Sequence, residues 1–363
     1  MRHIRINILI ITVVLICIGI VMIYSSSSIY AQKQFGDAMF FLKRHLLFLL
    51  IGTILSSVVL FVDYKKLRQF SKPLLFLTLF MLILILVPGA SKAIGGARRW
   101  FRFGSFGFQP SEMANLVLII YVADFISRKQ KEMEDFISGY LPVMLVLGLS
   151  CGLILLQPDL GTALAICIVV YLMLYIGGMR IIHLVVTGLL FLPLLLVMIL
   201  GVPYRRMRIT AFLNPWQDPA GSGFQIIQSQ IALGSGGLFG LGLGLSRQKL
   251  FFLPAAHTDF IFSIIGEELG FFGVLGVILL FLLLLFCGLK AIKNCPEPFG
   301  YYLGLGLLLS IVLRAFINIS VVCGILPTKG LPLPFISYGG SALIFSMASI
   351  ALILNISRGS EAL

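Results

Sequence analysis

The sequence predicts an all-α polytopic membrane protein with about ten transmembrane helices. Of its 363 residues, 59% are hydrophobic and only 11% are charged, whereas soluble domains carry about 25% charged residues. The mean hydropathy is +1.07. The apolar residues gather into runs long enough to cross a hydrocarbon core about 30 Å thick. A soluble core could not bury this much apolar sequence, so we expect most of the chain to lie in a lipid bilayer.

Ten apolar runs are the candidate spans. They lie at about 8–29, 46–62, 74–88, 110–127, 141–156, 162–178, 181–201, 258–288, 300–326 and 335–356. The first follows Arg2 and Arg5 and exceeds the signal-peptide core of about 7–15 residues, so we expect an uncleaved span. The longest stretch between runs, about 202–257, is then a large extracytoplasmic loop between helices 7 and 8. In this interpretation residues 1–363 form one integral membrane domain.

The formal net charge of +13 is divided among the membrane loops. The positive-inside rule places the N-terminus, with Arg2 and Arg5, in the cytoplasm, and an even number of spans returns the C-terminus to the same side. Basic residues divided in this way argue against nucleic acid as a partner. They favour anionic lipid headgroups and phosphorylated substrates.

Two basic clusters lie on the side that this topology places outside. They are GARRWFRFG (96–104) and YRRMR (204–208). Orientation does not require external arginines, so their clustering indicates a ligand with phosphate or carboxylate groups. The alternative is that these side chains only reach toward lipid headgroups.

A glycine run in the large loop, GSGGLFGLGLG (234–244), allows two interpretations. Nucleotide binding is weakly indicated, because no strand precedes the run and the GxxxxGK[ST] pattern is missing. Gly236, Gly240 and Gly244, at four-residue spacing, could equally allow close helix packing.

Asp259 is a carboxylate at the mouth of a long apolar run, PAAHTDFIFSIIGEELG (254–270). An ionisable side chain at the edge of hydrocarbon is costly and therefore indicates a functional site. On helical spacing it shares a face with Ser263, Gly266 and Glu267, which predicts a polar stripe that lines a cavity. The alternative is a charged helix end among lipid headgroups.

Two further segments interrupt the apolar sequence at the predicted outer side. QPDLGT (157–162) contains Asp159, and LPTKGLPLPFISYGGS (326–341) contains Lys329. Irregular backbone at membrane depth is tolerated only where it lines a cavity in the protein. Both segments are therefore predicted to face the same outer cavity as Asp259.

One carboxylate, several cations and access from lipid favour glycosyl transfer from a lipid-linked pyrophosphate. A glycosidase needs two carboxylates because its leaving sugar must be protonated. A pyrophosphate leaves without a proton, and it needs cations together with one base for the acceptor hydroxyl. No CxxC motif and no paired His and Cys spacing occur in the sequence, so no metal site is predicted.

Five segments together carry a specific resemblance that spans nearly the whole chain. They are GARRWFRFGSFGFQPSE (96–112), QPDLGTA (157–163), FLNPWQDPAGSGFQIIQSQIALGSGG (212–237), FLPAAHTDFIFSIIGEELG (252–270) and LPTKGLPLPFISYGGS (326–341). On these motifs the chain resembles the SEDS family (shape, elongation, division and sporulation proteins), the RodA and FtsW group. RRMRITAFLNPW (205–216) and LPTKGLPLPF (326–335) are more similar to the division type, FtsW, than to the elongation type, RodA.

The resemblance implies a peptidoglycan glycosyltransferase that polymerises lipid II at the outer face of the bacterial cytoplasmic membrane. Transfer inverts the anomeric carbon, and the expected role is septal wall synthesis in cell division. The implied partners are lipid II, a class B penicillin-binding protein (a transpeptidase), other divisome proteins and the membrane. No cofactor is certain, and whether Mg²⁺ assists stays open.

The site residues follow from the resemblance and from the outer-cavity argument. The family's essential aspartate falls on Asp259, which we predict to be the general base. The predicted substrate-binding residues are Arg98, Arg99, Trp100, Glu112, Asp159, Lys249, His257, Thr258, Glu267 and Lys329.

The chain departs from its relatives at one motif position. In many relatives QPSE is followed, three residues after the glutamate, by a lysine, but this chain has Asn115. An amide can hydrogen-bond Glu112 but cannot neutralise it. We therefore expect Glu112 to take its countercharge from Arg98, Arg99 or Arg102.

Two alternatives to the enzyme stay open at this stage. A lipid II flippase would also suit broken helices and a charged cavity, although no internal inverted repeat is visible. A noncatalytic scaffold for the division machinery would not need Asp259 and Glu267 inside the membrane. Polymerisation of purified lipid II in detergent separates these alternatives, because flipping has no meaning there.

Overall fold

The fold, seen in a computed structural model, is described for residues 2–89, 98–103 and 106–359. Residues 96 and 97 of the arginine motif lie outside this part, as do residues 104 and 105. The helices are α1 (Arg2–Phe35), α2 (Phe40–Phe61), α3 (Lys65–Leu84), α4 (Pro110–Arg128), α5 (Leu141–Leu156), α6 (Leu160–Ile176), α7 (Ile181–Leu200), α8 (Pro203–Leu213), α9 (Phe224–Ser235), α10 (Ile261–Lys293), α11 (Pro298–Val322) and α12 (Gly340–Gly359).

The prediction of an all-α polytopic membrane protein is confirmed. Within the described ranges, nine helices are long and apolar enough to cross a membrane, and a shorter apolar helix, α6, adds a further candidate. Each of the ten apolar runs lies largely on one of these helices. Most helix ends differ by several residues from the ends of the corresponding apolar runs. For example, α1 continues through polar residues as far as Phe35. It ends there because the next residue, Gly36, has a φ of +72°, which is not helical.

Three spans form the buried centre of the molecule. α4, α11 and α12 are the most buried spans, whereas α7 is the least buried. α11 packs against α4, α6, α10 and α12, and α12 packs tightly against α2. The residues that precede α4 and α12 and those that follow α11 therefore come together at one end of the bundle.

The predicted break at QPDLGT separates α5 from α6. α5 ends at Leu156, and Asp159 caps the start of α6 by accepting hydrogen bonds from the backbone N (3.2 Å) and Oγ1 (2.9 Å) of Thr162. An aspartate at this position satisfies backbone donors that the first helical turn leaves free.

A short hairpin, which the sequence did not predict, holds the arginine motif. β1 (Phe101–Phe103) pairs antiparallel with β2 (Phe106–Phe108). The ring of Trp100 packs over Gly107, where a Cβ atom would lie 3.3 Å from Cε3. Ser341, in the first turn of α12, donates a hydrogen bond to the carbonyl oxygen of Gly107 (3.2 Å) and accepts one from the backbone N of Gln109 (3.1 Å). The hairpin is thus fixed to the central helices.

The long segment between α7 and α10 contains α8, a 3₁₀ turn at Pro215–Gln217, and α9. Its glycine run packs against α10, which is broken at Gly270 (φ 66°, ψ −163°). Residues 237–242 and 267–272 exchange backbone hydrogen bonds of 2.9–3.2 Å. A Cβ atom at Gly236 or Gly240 would lie 1.9 or 2.1 Å from a carbonyl oxygen of α10. These two glycines therefore serve close backbone packing, whereas Gly244 has open space around it.

Candidate active site

A cavity of about 420 Å³ opens between the hairpin, the α5–α6 break and the segments that precede α10 and α12. Its charged and polar lining includes Arg44, Arg99, Arg102, Asp159, Asp259 and Tyr338. Predicted residues Trp100 and Thr258 also line it. Residues from five separate motifs and helices thus meet around one space, and the segments that contain Asp159 and Asp259 are among them, as the sequence predicted.

Asp259 lies in the turn immediately before α10. Its backbone oxygen accepts a hydrogen bond from Nδ2 of Asn318 (2.8 Å), which also donates to the backbone oxygen of Leu331 (2.7 Å). The carboxylate lies over Gly330, where a Cβ atom would be 3.2 Å from Oδ2. Among the described residues no side chain donates a hydrogen bond to this carboxylate. Its backbone is therefore fixed while its oxygens are available to a ligand.

The electrostatic setting of Asp259 suits a general base. The pKa of its carboxyl group is raised from 3.8 to about 6, chiefly by burial and to a smaller extent by the negative charge of Asp159. The guanidinium groups of Arg208 and Arg99 act in the opposite direction. A base whose pKa lies just below neutral pH is mostly ionised yet basic enough to accept a proton.

The second carboxylate of the cavity, Asp159, differs from Asp259 in its partners. Its oxygens accept the two hydrogen bonds from Thr162 and a longer one from Nε2 of Gln109 (3.4 Å). It is buried. These contacts hold Asp159 at the start of α6, so Asp259 is the carboxylate with more freedom to accept a proton.

Three arginines give the cavity its positive charge. Arg99 joins the hairpin to the α5–α6 break, donating from Nε to the backbone oxygen of Gln157 (2.9 Å) and from Nη2 to that of Pro158. Arg44 lies over the ring of Phe40, 4.3 Å from its centre. Burial raises the pKa of the Tyr338 phenol, whereas Arg44 and Arg102 both lower it.

The remaining predicted residues near the cavity have distinct positions. His257 packs against Phe41 (ring centres 4.4 Å apart), and burial lowers its pKa to about 4, so it is neutral at pH 7. Lys329 packs over Gly161, and burial lowers the pKa of its amino group. Arg98 is half-buried beside Arg99. His257, Lys329 and Arg98 are not among the residues that line the cavity.

Two predicted substrate-binding residues lie elsewhere. Lys249 forms a buried ion pair with Glu268 (Nζ to Oε1, 2.9 Å) and donates to Oγ of Ser25 on α1 (3.1 Å). Glu267 accepts hydrogen bonds from the hydroxyl of Ser246 and from the backbone N of Arg247 (2.9 Å). Both side chains fasten the loop to α10 and do not reach the cavity.

The predicted polar stripe on α10 is therefore wrong as a cavity lining. Ser263 shares a hydrogen bond of 2.8 Å with Ser229 of α9, and Gly266 packs against Gly236 of the glycine run. The helical spacing from Ser263 to Glu267 is correct, but the loop after α7 folds over that face. Of the four residues in the stripe, Asp259 alone lines the cavity.

The expected countercharge of Glu112 is also wrong. Its partner is Arg314 in the middle of α11, with Nη1 2.5 Å from Oε2, and both residues are buried. Neither Arg98, Arg99 nor Arg102 holds this carboxylate. The sequence did contain a signal for Arg314, because an arginine inside an apolar run needs a partner in the protein.

The buried pair of Lys249 and Glu268 leads to a prediction about stability. We expect Lys249→Met to cost about 3–5 kcal/mol, because it leaves a buried carboxylate without its countercharge. Lys43→Met is the matched control, since its pair with Asp37 is exposed and should contribute less than about 1 kcal/mol. The measurement is thermal unfolding of the purified proteins in detergent, and equal unfolding temperatures for the two variants would contradict this role.

No group of three or more His, Cys, Asp or Glu side chains suited to a metal ion occurs in the described residues. Asp159 and Asp259 are the carboxylates through which the cavity could contact a divalent cation.

The fold and the cavity together define a polytopic membrane protein with a basic cavity around one available carboxylate. The profile of the FtsW/RodA/SpoVE family, described as a cell cycle protein, matches residues 5–362. The chain belongs to this family.

Relatives and solved structures agree with this assignment. A probable peptidoglycan glycosyltransferase FtsW of Geobacter sp. (strain M18) is 46% identical over 350 residues, which cover 96% of this chain and 95% of the relative. Stage V sporulation protein E of Bacillus subtilis (strain 168) is 44% identical over 352 residues, covering 97% and 96%.

Two solved structures share the fold over nearly their whole length. A chain from a study of the structural coordination of polymerization and crosslinking by a peptidoglycan synthase complex is similar with a TM-score of 0.79 and 32% identity, at 97% coverage of both chains. The rod shape determining protein RodA of Thermus thermophilus is similar with a TM-score of 0.70 and 28% identity, covering 97% of this chain and 95% of RodA.

Proposed function

We propose that this protein is a peptidoglycan glycosyltransferase of the FtsW type. Its membership of the FtsW/RodA/SpoVE family and the names of relatives at 44–46% identity support this activity. The observation that carries the chemistry is the carboxylate of Asp259, free of hydrogen-bond donors among the described residues, in a cavity that Arg44, Arg99 and Arg102 line.

The geometry supports an inverting transfer between two lipid-linked substrates such as lipid II. Asp259 takes the proton from the acceptor hydroxyl while the oxygen of that hydroxyl forms a bond to the anomeric carbon of the donor. The bond from that carbon to the pyrophosphate oxygen breaks on the opposite face. The leaving pyrophosphate needs no proton, and the guanidinium groups of Arg44, Arg99 and Arg102 stabilise its negative charge.

The cellular setting follows from this chemistry and from the family. The protein is a multi-pass membrane protein, and we propose that it works in the bacterial cytoplasmic membrane with both termini in the cytoplasm. The cavity then faces the outer side, where lipid II is polymerised. A class B penicillin-binding protein is the expected partner, because a structural relative comes from a peptidoglycan synthase complex. Other divisome proteins and septal wall synthesis fit the FtsW relatives.

The decisive experiment is polymerisation of purified lipid II by the purified protein in detergent, with and without a class B penicillin-binding protein. Glycan strands longer than one disaccharide are expected. A flippase would give no strands, because flipping has no meaning without a bilayer. A scaffold would give no strands by itself, and any strands formed with the partner present would form equally well when Asp259 is replaced.

The polymerisation rate should rise with pH through a midpoint of about 6, because Asp259 acts as a base only when ionised and its pKa is raised to about 6. The negative charge of Asp159 raises that pKa, so Asp159→Asn should move the midpoint to lower pH. Arg208 lowers it, so Arg208→Gln should move the midpoint to higher pH. Measuring kcat/KM against pH for the three proteins tests both directions, and shifts of the same sign would contradict the assignment.

A further inference from the structure

Three buried polar side chains form a line along one face of α11. Ser310, Arg314 and Asn318 are four residues apart, so they lie one above the other on the helix. Each bonds to a group outside α11. The partners are, in order, Asn115 (2.8 Å), Glu112 (2.5 Å), and the backbone oxygens of Asp259 (2.8 Å) and Leu331 (2.7 Å). This line connects α11 to α4 and to the cavity.

The α4 end of this connection leads to Asp159. Glu112 lies in the first turn of α4, just after Pro110. Three residues before Glu112, the side chain of Gln109 lines the cavity and donates to Asp159. A shift of α4 along α11 would therefore move a contact of Asp159.

The α11 end leads to Asp259. Asn318 is one helical turn beyond Arg314, and it holds the backbone oxygen of Asp259. The ion pair of Glu112 and Arg314 is thus the charged contact between the helix that supports one cavity aspartate and the helix that supports the other.

Stability alone does not explain the arginine. Nε and Nη2 of Arg314 are buried and have no hydrogen-bond partner in the part of the chain that the structure describes. A buried guanidinium with unmet donors is costly, and an apolar side chain of similar size would often be more stable. What the ion pair adds is a fixed register between α4 and α11.

We propose that Arg314 is a positioning residue for glycosyl transfer, which supplies the countercharge of Glu112 from α11 and so fixes the placement of Asp159 and Asp259 across the cavity. This proposal rests on the proposed function. Position 115 lies three residues after Glu112 on the same face of α4, beside Ser310. A lysine at position 115 would reach the same carboxylate, but Glu112 can neutralise only one of the two cations.

Three variants test this proposal: Arg314→Gln, Asn115→Lys and the double variant. Arg314→Gln should lower kcat about 10- to 100-fold with little change in KM, since a misplacement of about 1 Å can cost about 10²-fold. Asn115→Lys alone places a second, partly buried cation beside one carboxylate, so it should lower both kcat and the unfolding temperature. In the double variant the introduced lysine is the one cation beside Glu112, and the glutamine amide at position 314 can still donate a hydrogen bond to this carboxylate. The kcat of the double variant should therefore return to within about threefold of wild type.

Arg68→Gln is the matched control at the other end of α4. Arg68 pairs with Asp124 on α4, and this carboxylate also pairs with Arg128 (Nη2 to Oδ2, 2.8 Å). Asp124 therefore keeps a countercharge in Arg68→Gln, and activity should stay at the wild-type level. Wild-type kcat in Arg314→Gln would overturn the proposal, and so would a double variant that is no better than either single variant.

Two further outcomes are also decisive. If Arg314→Gln does not fold, Asn115→Lys decides, because wild-type kcat and an unchanged unfolding temperature in that variant would overturn the proposal. If the wild-type protein does not polymerise lipid II, the proposed function fails. The unfolding temperatures of the three variants then test the ion pair itself, and strictly additive shifts would show that positions 115 and 314 do not share Glu112.

Discussion

Asp259→Asn should reduce lipid II polymerisation by about 10²- to 10⁴-fold, the usual cost of losing a general base. Asparagine keeps the size of the side chain but cannot accept the proton of the acceptor hydroxyl. The fold should be unaffected, because Asn318 holds Asp259 through its backbone oxygen. The measurement is the rate of glycan strand formation by purified protein in detergent, together with its unfolding temperature.

Asp37→Asn is the control for this prediction. Asp37 is an exposed carboxylate between α1 and α2, paired with Lys43, and it lies outside the cavity. Its variant should polymerise lipid II at the wild-type rate. A rate for Asp259→Asn that is close to that of Asp37→Asn would show that Asp259 is not the base.

Replacing both Arg44 and Arg102 by glutamine should lower kcat/KM at least about 10²-fold, because each charge-assisted hydrogen bond to phosphate contributes about 1.5–3 kcal/mol. These two arginines are preferred to Arg99, whose guanidinium is also engaged by the backbone oxygens of Gln157 and Pro158. Loss of Arg99 would therefore disturb the hairpin as well as the charge. Steady-state polymerisation over a range of lipid II concentrations gives the measurement.

The matched control removes two cations from the side of the membrane that we propose to be cytoplasmic. Lys65 and Lys66 begin α3 and are exposed, so Lys65→Gln/Lys66→Gln should leave kcat/KM unchanged. Equal losses in the two double variants would mean that net charge, and not the cavity arginines, governs substrate use.

The spans and the segments that surround the cavity could be predicted from the sequence, because both depend on local patterns. Apolar runs fix which segments lie in lipid, and the breaks at Asp159 and at Lys329 do lead to the segments around the cavity. The hairpin could not be predicted, since strands of three residues around Gly107 carry too little periodicity.

The partners of buried charges were the main error of the sequence interpretation. Glu267 and Lys249 were predicted to contact substrate, but their partners are the loop backbone and Glu268. Glu112 was assigned to nearby arginines, yet its partner lies about two hundred residues further along the chain, at Arg314. Helical spacing shows which residues share a face, but only the packing of helices shows what covers that face.

The break in α10 joins this helix to the glycine run through backbone hydrogen bonds. Residues 237–242 and 267–272 satisfy each other's backbone groups, and separating them beside apolar helices would leave those groups unpaired at high cost. We therefore expect this contact to stay closed during turnover. None of these residues lines the cavity, so we expect the loop after α7 and the start of α10 to move as one body whenever substrates enter or leave.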